Sequence, residues 1–371
     1  MSLYVLKFGG SSVATTPRIE HVAGIIADFV EKGHGVVVVT SAMQGATNRL
    51  IELTKAFTDS PISREYDAII SSGEHVAAGL LALALNSRAI SAKSLTAWQV
   101  PITVSGTYSD ASISQVSADK IFEMLSQGII PVITGFQGIS ANGDVCTIGR
   151  GGSDATACAV ANAIHADECL IYTDVDGVYT ADPRVVLDAR KLEEVSYDDM
   201  IELSSWGAKV LQTKSTQIAK EYNVNLRVLS SFSEGYGTQI TNNTKYITHN
   251  HIVGIAYNLD LFAVYTSKKE IIPELEPYTA MIKPFSGGFL APKPMQAEIQ
   301  SSVPLMMNNL DINIDNNIGT VTVVGQTKID KAYLHDIEYI IDTEYSQAFI
   351  VPFQQTLPLV NKLHEMFFSK N

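Results

Sequence analysis

The sequence predicts an α/β fold, a three-layer αβα arrangement about a mainly parallel sheet, with a smaller α+β region behind it. Strand and helix patterns alternate from Leu3 to about Thr241, as expected for a parallel sheet with helices on both faces. Val36-Val37-Val38-Val39-Thr40-Ser41 is β-branched and unbroken where a half-exposed strand would alternate, so it reads as a strand buried on both sides. Past the polar cluster Asn242-Asn243-Thr244 the composition changes. Short alternating strands such as Ile312-Asn313-Ile314 and Gly319–Val323 appear, closed by an amphipathic helix from Leu357 to Phe368. With 371 residues, 46% of them hydrophobic and 18% charged, the chain can bury a substantial core and divides into two domains, over residues 1–243 and 250–371.

The first strand, Leu3-Tyr4-Val5-Leu6, runs into Lys7-Phe8-Gly9-Gly10-Ser11-Ser12-Val13, so a lysine ends a buried strand and a glycine pair opens the next turn. Such a segment is either a phosphate cradle or a lysine that only reaches solvent. A helix over Ala23–Val30 follows. The second buried strand ends in Ser41-Ala42-Met43-Gln44-Gly45-Ala46-Thr47-Asn48, where Ser41 and Thr47 either donate to ligand oxygens or cap a helix beginning near Asn48. Ser71-Ser72-Gly73-Glu74 leads the apolar helical run Val76–Leu85, with Glu74 complementing the helix dipole or touching a ligand. Another helix covers Val116–Ser126.

The most informative stretch runs from Thr147 to Ala157. It sets a guanidinium, Arg150, and a carboxylate, Asp154, on either side of Gly151-Gly152-Ser153, just before a helix over Asp154–Ile164. Glycines let backbone N–H groups approach a ligand, the helix offers its positive end, and arginine grips a carboxylate or phosphate through two parallel hydrogen bonds. The strand from Glu168 then ends in Thr173-Asp174, a tight turn at Asp176-Gly177 leads to Asp182-Pro183-Arg184, and a helix covers Tyr197–Leu203. Polar groups recur at strand ends. In open parallel sheets ligands bind beyond the carboxyl ends of the strands, so these loops are expected to converge.

The net charge of −13 argues against nucleic acid or an anionic membrane surface as a main partner. An anionic nucleotide would then need Lys7, Arg150, Arg184 and Lys209 gathered at one mouth. A Walker-type P-loop is excluded because no Gly-Lys dipeptide occurs, and no Gly-x-Gly-x-x-Gly fingerprint supports a dinucleotide fold. Cys146, Cys158 and Cys169 are odd in number and unpaired in spacing, and read as structural thiols. His249 and His251 are the histidines closest to ligand spacing and read as solvent-exposed, so no resident metal site is expected. Met1 leads directly into a strand and no uninterrupted apolar run reaches the length of a membrane span, from which a cytoplasmic location is expected.

Lys7-Phe-Gly-Gly-Ser-Ser-Val, Ser41-Ala-Met with Thr47-Asn48, Ser72-Gly-Glu74, Gly135-Phe-Gln-Gly138, Gly149-Arg-Gly-Gly-Ser-Asp154 and Thr173-Asp-Val-Asp-Gly-Val-Tyr-Thr-Ala-Asp-Pro-Arg184 occur in this order. Together they resemble the aspartokinases of the amino-acid kinase superfamily over about the first 240 residues. The Thr-Asp-x-x-Gly and Asp-Pro pieces are also similar to glutamate 5-kinases and uridylate kinases. The resemblance implies ATP-dependent phosphorylation of the side-chain carboxylate of L-aspartate, toward lysine, methionine and threonine. It further implies that Lys7 contacts the transferring phosphoryl group while Asp154 orients the lysines. Ser41, Thr47, Glu74, Phe136 and Arg150 would bind the amino acid. Gly9, Gly10, Ser11, Ser153, Thr173, Asp174, Tyr179, Arg184 and Lys209 would hold ATP, with Mg²⁺ carried mainly on its phosphates.

Two departures stand out. Where the family usually has His-Pro, this chain reads Leu211-Gln212-Thr213-Lys214, which puts the loop near Lys209 in question. The tail resembles shortened ACT modules, with five prolines between Glu270 and Met295 that oppose a long first helix. It is expected to join two chains into a homodimer, while feedback inhibition by lysine or threonine is doubtful. A kinase of the same fold acting on another amino acid, and a non-catalytic amino-acid-binding regulator, are the alternatives.

Overall fold

Strand β1 (Leu3–Phe8) sits at the centre of a sheet whose composition explains its burial, because its neighbour β2 (Gly35–Thr40) has all six residues buried. The computed structural model describes residues 2–58, 63–242, 252–266, 282–296, 299, 312–327, 329, 337 and 339–369. It divides into two units. The first comprises Met1–Val178, Leu192–Ile201 and Val210–Thr244, and the second Tyr179–Lys191, Glu202–Lys209 and Lys245–Asn371.

In the first unit the remaining strands are β3 (Ala92–Leu95), β4 (Ile102–Thr107), β5 (Asp110–Val116), β6 (Ile130–Thr134), β7 (Gln137–Ile139), β8 (Val145–Thr147), β9 (Glu168–Thr173), β10 (Glu194–Ser196), β11 (Leu226–Ser230) and β12 (Thr238–Thr241). Its helices are α1 (Thr16–Glu31), α2 (Ala46–Thr54), α3 (Arg64–Ile70), α4 (Ser72–Ser87), α5 (Asp119–Ser126), α6 (Gly152–Ala163), α7 (Tyr197–Ser205), which runs on into the second unit, and α8 (Thr213–Glu221). Among the described residues the main sheet has the order β10-β12-β11-β9-β1-β2-β6-β3. Its pairs are parallel except β11 with β12.

Leu6, Phe8, Val36 and Val38 share one apolar cluster with Ile19, Val22 and Ile26 of α1 and Leu81 and Leu85 of α4. Strand alternation turns Val5, Val37 and Val39 to the other face, where α6 packs on β1, β2 and β9. That helix is buried from Gly152 to Ala161, and its run of alanine, glycine and cysteine lets it lie close to the strands. The expected three-layer αβα sheet is therefore present. A smaller sheet, β5-β4-β7-β8, carries the turns that reach the site. The helix expected from Val116 begins only at Asp119, because the residues up to Val116 pair with β4.

Among the described residues of the second unit, two antiparallel four-stranded sheets form ACT-like modules. One contains β13 (Ile252–Asn258), β18 (Ile318–Gly325), β19 (Tyr339–Asp342) and β20 (Ser346–Pro352). The other contains β14 (Leu261–Thr266), β15 (Lys283–Phe285), β16 (Gly288–Pro292) and β17 (Ile312–Asp315). Helix α9 (Phe353–Phe368) closes the first module, setting Val360 and Leu363 against Ile255, Val321, Val323 and Phe349. Pro284 and Pro292 lie in strands, and Pro294 in a short 3₁₀ turn. Pro273, Pro277 and the expected obstruction of a first ACT helix lie outside the described residues, as do His249 and His251. The three cysteines are buried and free. The helical run Arg64–Ser87 is long and apolar enough to meet the length and hydropathy test for a membrane span, but half of its most apolar window is buried.

Candidate active site

Parallel register brings the strand ends to one rim. Phe8 lies opposite Thr40 and Tyr172, and Thr40 opposite Thr134. The chain leaves these adjacent strands as Ser41, Gly135-Phe136 and, one residue past Tyr172, Thr173. Convergence of the loops thus follows from the sheet itself.

Lys7, on the last turn-facing position of β1, is only 7% exposed, and its Nζ lies 2.5 Å from Asp154 Oδ1 in the first turn of α6. A buried ammonium needs such a partner, since leaving either charge alone in the interior costs several kcal/mol, about 3–5. The glycines after Lys7 fold the chain back over it. Gly9 N–H donates to Tyr172 O (3.0 Å), and Gln44 N–H donates to Gly10 O (3.1 Å), which ties the first loop to the second. Before α6 the backbone turns through Gly149 and Gly151 with φ of 80° and 72°. A side chain at Gly151 would put its Cβ 2.4 Å from Gln212 Cβ, so glycine is required for space as well as for conformation. Gln212, the residue that departs from the expected His-Pro, therefore packs against this loop.

These loops enclose a cavity of about 650 Å³. Lys7, Gly10, Ser41, Thr47, Glu74, Phe136, Arg150, Ser153 and Asp154 all line it, uniting nine of the residues marked from the sequence. Neither Ser41 nor Thr47 caps α2, which begins at Ala46 after a left-handed Gly45 without a side-chain cap. Both residues line the cavity. Glu74, in the first turn of α4, is 3% exposed. Ala42 N–H donates to its Oε1 (3.0 Å), while Oε2 is buried without a hydrogen-bond partner among the described residues. Burial pushes its pKa up to about 7 against the backbone donors that oppose the rise. Arg150 is exposed at the cavity. Phe136 holds φ of 70°, a strained conformation for a bulky residue, and its N–H is fixed by Thr156 Oγ1 at 3.2 Å.

The cavity thus presents an ammonium at its base, a buried carboxylate with one unmatched oxygen, and a guanidinium at its mouth. It can take a ligand that carries both signs of charge beside an anion. Gly9 and Ser11 flank the lining, and Thr173 ends β9, its Oγ1 donating to Asp174 Oδ1 (3.0 Å). Tyr179, Arg184 and Lys209 belong to the second unit. There Tyr179 bridges to Lys191, Arg184 pairs with Asp182 at 2.8 Å, and Lys209 stands 3.6 Å from Asp260 with both side chains exposed.

Sequence reasoning missed Tyr66, Asp67, Ser109 and Thr147. Tyr66, Ser109 and Thr147 line the cavity, whereas Asp67 is fully buried behind it. Ser109 sits in a turn between strands the sequence did not separate. Among the described residues no group of three or more histidines, cysteines or carboxylates is placed to hold a metal ion.

The model of the amino acid kinase family matches residues 2–230. An aspartate kinase of Pseudomonas putida is 50% identical over 261 residues, which cover 70% of this chain and 64% of that protein. An aspartokinase of Geobacillus stearothermophilus is 44% identical over 257 residues, covering 69% of this chain and 63% of the relative. The match spans less than two thirds of the length of these relatives. Among solved structures, E. coli aspartokinase III in complex with aspartate and ADP matches with a TM-score of 0.82 at 21% identity, covering 99% of this chain and 100% of that one. Aspartate kinase from Synechocystis matches at 29% identity with a TM-score of 0.60, covering 100% of this chain and 70% of its own. The three-layer sheet, the loops gathered at its rim and the match over more than half the sequence place the chain in one family: it belongs to the amino acid kinases.

Proposed function

We propose that the protein is an aspartate kinase that transfers the γ-phosphoryl group of MgATP to the side-chain carboxylate of L-aspartate, giving 4-phospho-L-aspartate. The observation that carries this reading is the grouping of Lys7, Glu74 and Arg150 around one cavity. The acceptor carboxylate, with a pKa of about 4, is ionised at neutral pH and needs no general base. The difficulty is electrostatic, since one anion must be brought against another. Lys7, held by Asp154, neutralises the phosphoryl oxygens as the carboxylate oxygen forms its bond to phosphorus and the bond to ADP breaks in line. Glu74 takes the acceptor's ammonium and Arg150 its α-carboxylate, with Ser41 and Thr47 donating alongside. Mg²⁺ enters on the nucleotide phosphates. Gly9 N–H donates to Tyr172 O, so Gly10, Ser11 and Ser153 are the proposed backbone donors for those phosphates, and Thr173 and Asp174 are the nearest further nucleotide candidates by chain order.

For Tyr179, Arg184 and Lys209 the nucleotide role rests on the family resemblance. An increased KM for ATP in each substituted protein is the expected outcome. We place the enzyme in the cytoplasm, serving lysine, methionine and threonine synthesis, as a homodimer joined through the C-terminal region. Light scattering on the whole chain and on a form ending at residue 243 tests the dimer. The deciding experiment for the activity is a hydroxamate assay with MgATP and a panel of acidic amino acids. Product with aspartate alone supports the reading, product with another acid shifts the acceptor, and binding without product leaves an amino-acid-binding regulator.

A further inference from the structure

Two groups of opposite charge, the buried Asp67 and the half-buried Lys214, grip the loop that carries Arg150, and neither lines the cavity. Asp67, on α3, is fully buried. Ser109 N–H (2.9 Å) and Thr147 N–H (2.6 Å) donate to its Oδ2, and the hydroxyls of Ser109 (2.8 Å) and Thr147 (3.1 Å) donate to its Oδ1. Both oxygens are thereby satisfied twice, by two segments distant in sequence. Lys214, near the start of α8, treats the same two segments from another element. Its Nζ donates to Asp110 Oδ1 (3.0 Å), Ala111 O (2.9 Å) and Ile148 O (3.0 Å).

The turn Ser109–Ala111 and the segment Thr147–Ile148 are thus each held once by a carboxylate and once by an ammonium. Ser109 needs such support, because its φ of 67° is unfavourable for a residue with a side chain. Gly149 follows directly, and a Cβ there would lie 3.1 Å from Ser109 O, so the turn sets how closely the glycine loop can pass. Arg150 is the next residue.

We propose that Asp67 and Lys214 act as a positioning pair, fixing the turn and the loop against each other so that Arg150 meets the α-carboxylate of the acceptor amino acid. The inference rests on the proposed kinase reading for the identity of that acceptor. Neither residue touches substrate. Their effect is on the pose of a guanidinium whose bidentate contact tolerates little displacement.

The test uses Asp67→Asn, Lys214→Met and the double variant of the whole chain, with aspartate affinity by calorimetry and KM for both substrates. Each single variant is expected to weaken aspartate about tenfold or more, with KM for MgATP within about twofold. The double variant should weaken it by less than the product of the two, since both changes free one loop. Lys214→Arg, which keeps the charge and its donors, should restore most of the affinity. If Asp67→Asn does not fold, Thr147→Val removes one of its bonds and is expected to act in the same direction. Aspartate affinity unchanged in folded variants overturns the positioning pair, as does an equal loss for both substrates. Should the wild type bind aspartate without turning it over, the kinase reading falls while the calorimetric comparison still judges the pair. A wild type that binds no amino acid removes both.

Discussion

Glu74→Gln separates the cost of burying a carboxylate from its use. The side chain is 3% exposed, and burial raises its pKa from 4.5 to about 7. The folded protein therefore keeps a proton that the unfolded chain releases between those two values. Its contribution to stability is complete below pH 4.5 and is lost as the pH rises through 7. At about 1.4 kcal/mol per pKa unit, the rise is worth about 3 kcal/mol. Glutamine has nearly the same shape, can accept from Ala42 N–H and does not titrate. Urea unfolding of both proteins between pH 5 and 8 should show the wild type losing about 2.5 kcal/mol relative to the variant. Ligand should reverse the order. An ammonium beside Glu74 favours the ionised form, so saturating aspartate should stabilise the wild type at pH 8 and the variant far less, with aspartate KM raised about ten- to a hundredfold in Glu74→Gln. Stability curves that stay parallel from pH 5 to 8 would refute the argument, since the carboxylate would then be solvated in the folded state.

Further substitutions probe the remaining groups. Lys7→Met should lower kcat by a factor on the order of a hundred to a thousand with aspartate affinity comparatively intact, because the ammonium acts on charge at the transferring group. It should also destabilise the protein by leaving Asp154 buried without its partner, which unfolding measurements check. Arg150→Ala should raise aspartate KM roughly ten- to a hundredfold through loss of a charge-assisted pair, with ATP KM little changed in steady-state kinetics. Gly151→Ala should lower both melting temperature and activity, because it combines a φ of 72° with a 2.4 Å approach to Gln212. In the second unit, burial and the nearby Arg190 hold the pKa of His364 below its usual value, so its contribution is lost as the pH falls below about 6.5. His364→Gln, which can still meet Thr180 Oγ1, should flatten that acid limb in pH-dependent melts.

Much of the first unit was legible because its signals are local. The unbroken valines of β2 could only be a fully buried strand, and all six of its residues are buried. The glycine-arginine loop announced a helix start, and α6 begins at Gly152. Errors arose where two local signals overlapped. Val116 ends β5 and Asp119 opens α5, so the helix expected over Val116–Ser126 takes in the last residue of the strand and the two residues before the helix. Thr47 has the residue type of a cap or of a ligand donor, and α2 begins after the left-handed Gly45 with no side-chain cap.

The site divides along a different line. Lys7, Arg150 and Asp154 stand beside glycines, and glycines mark in sequence where backbone must pass close to something. Asp67 and Lys214 stand in ordinary helical stretches, Arg-Glu-Tyr-Asp-Ala-Ile-Ile and Thr-Lys-Ser-Thr-Gln-Ile-Ala-Lys-Glu, where a charged residue reads as the solvated face of a helix. Their partners lie 42 and 80 residues away for Asp67, and 66 to 104 residues away for Lys214. Nothing local records such a contact. Glu74 falls between the two cases, because its place in the first turn of α4 is equally good for a dipole and for a ligand. In the structure Ser71 alone separates α3 from α4, Glu74 lines the cavity, and its Oε2 has no hydrogen-bond partner among the described residues. A buried oxygen with no partner is costly unless a cation arrives to meet it, and that cost is what Glu74→Gln is designed to measure.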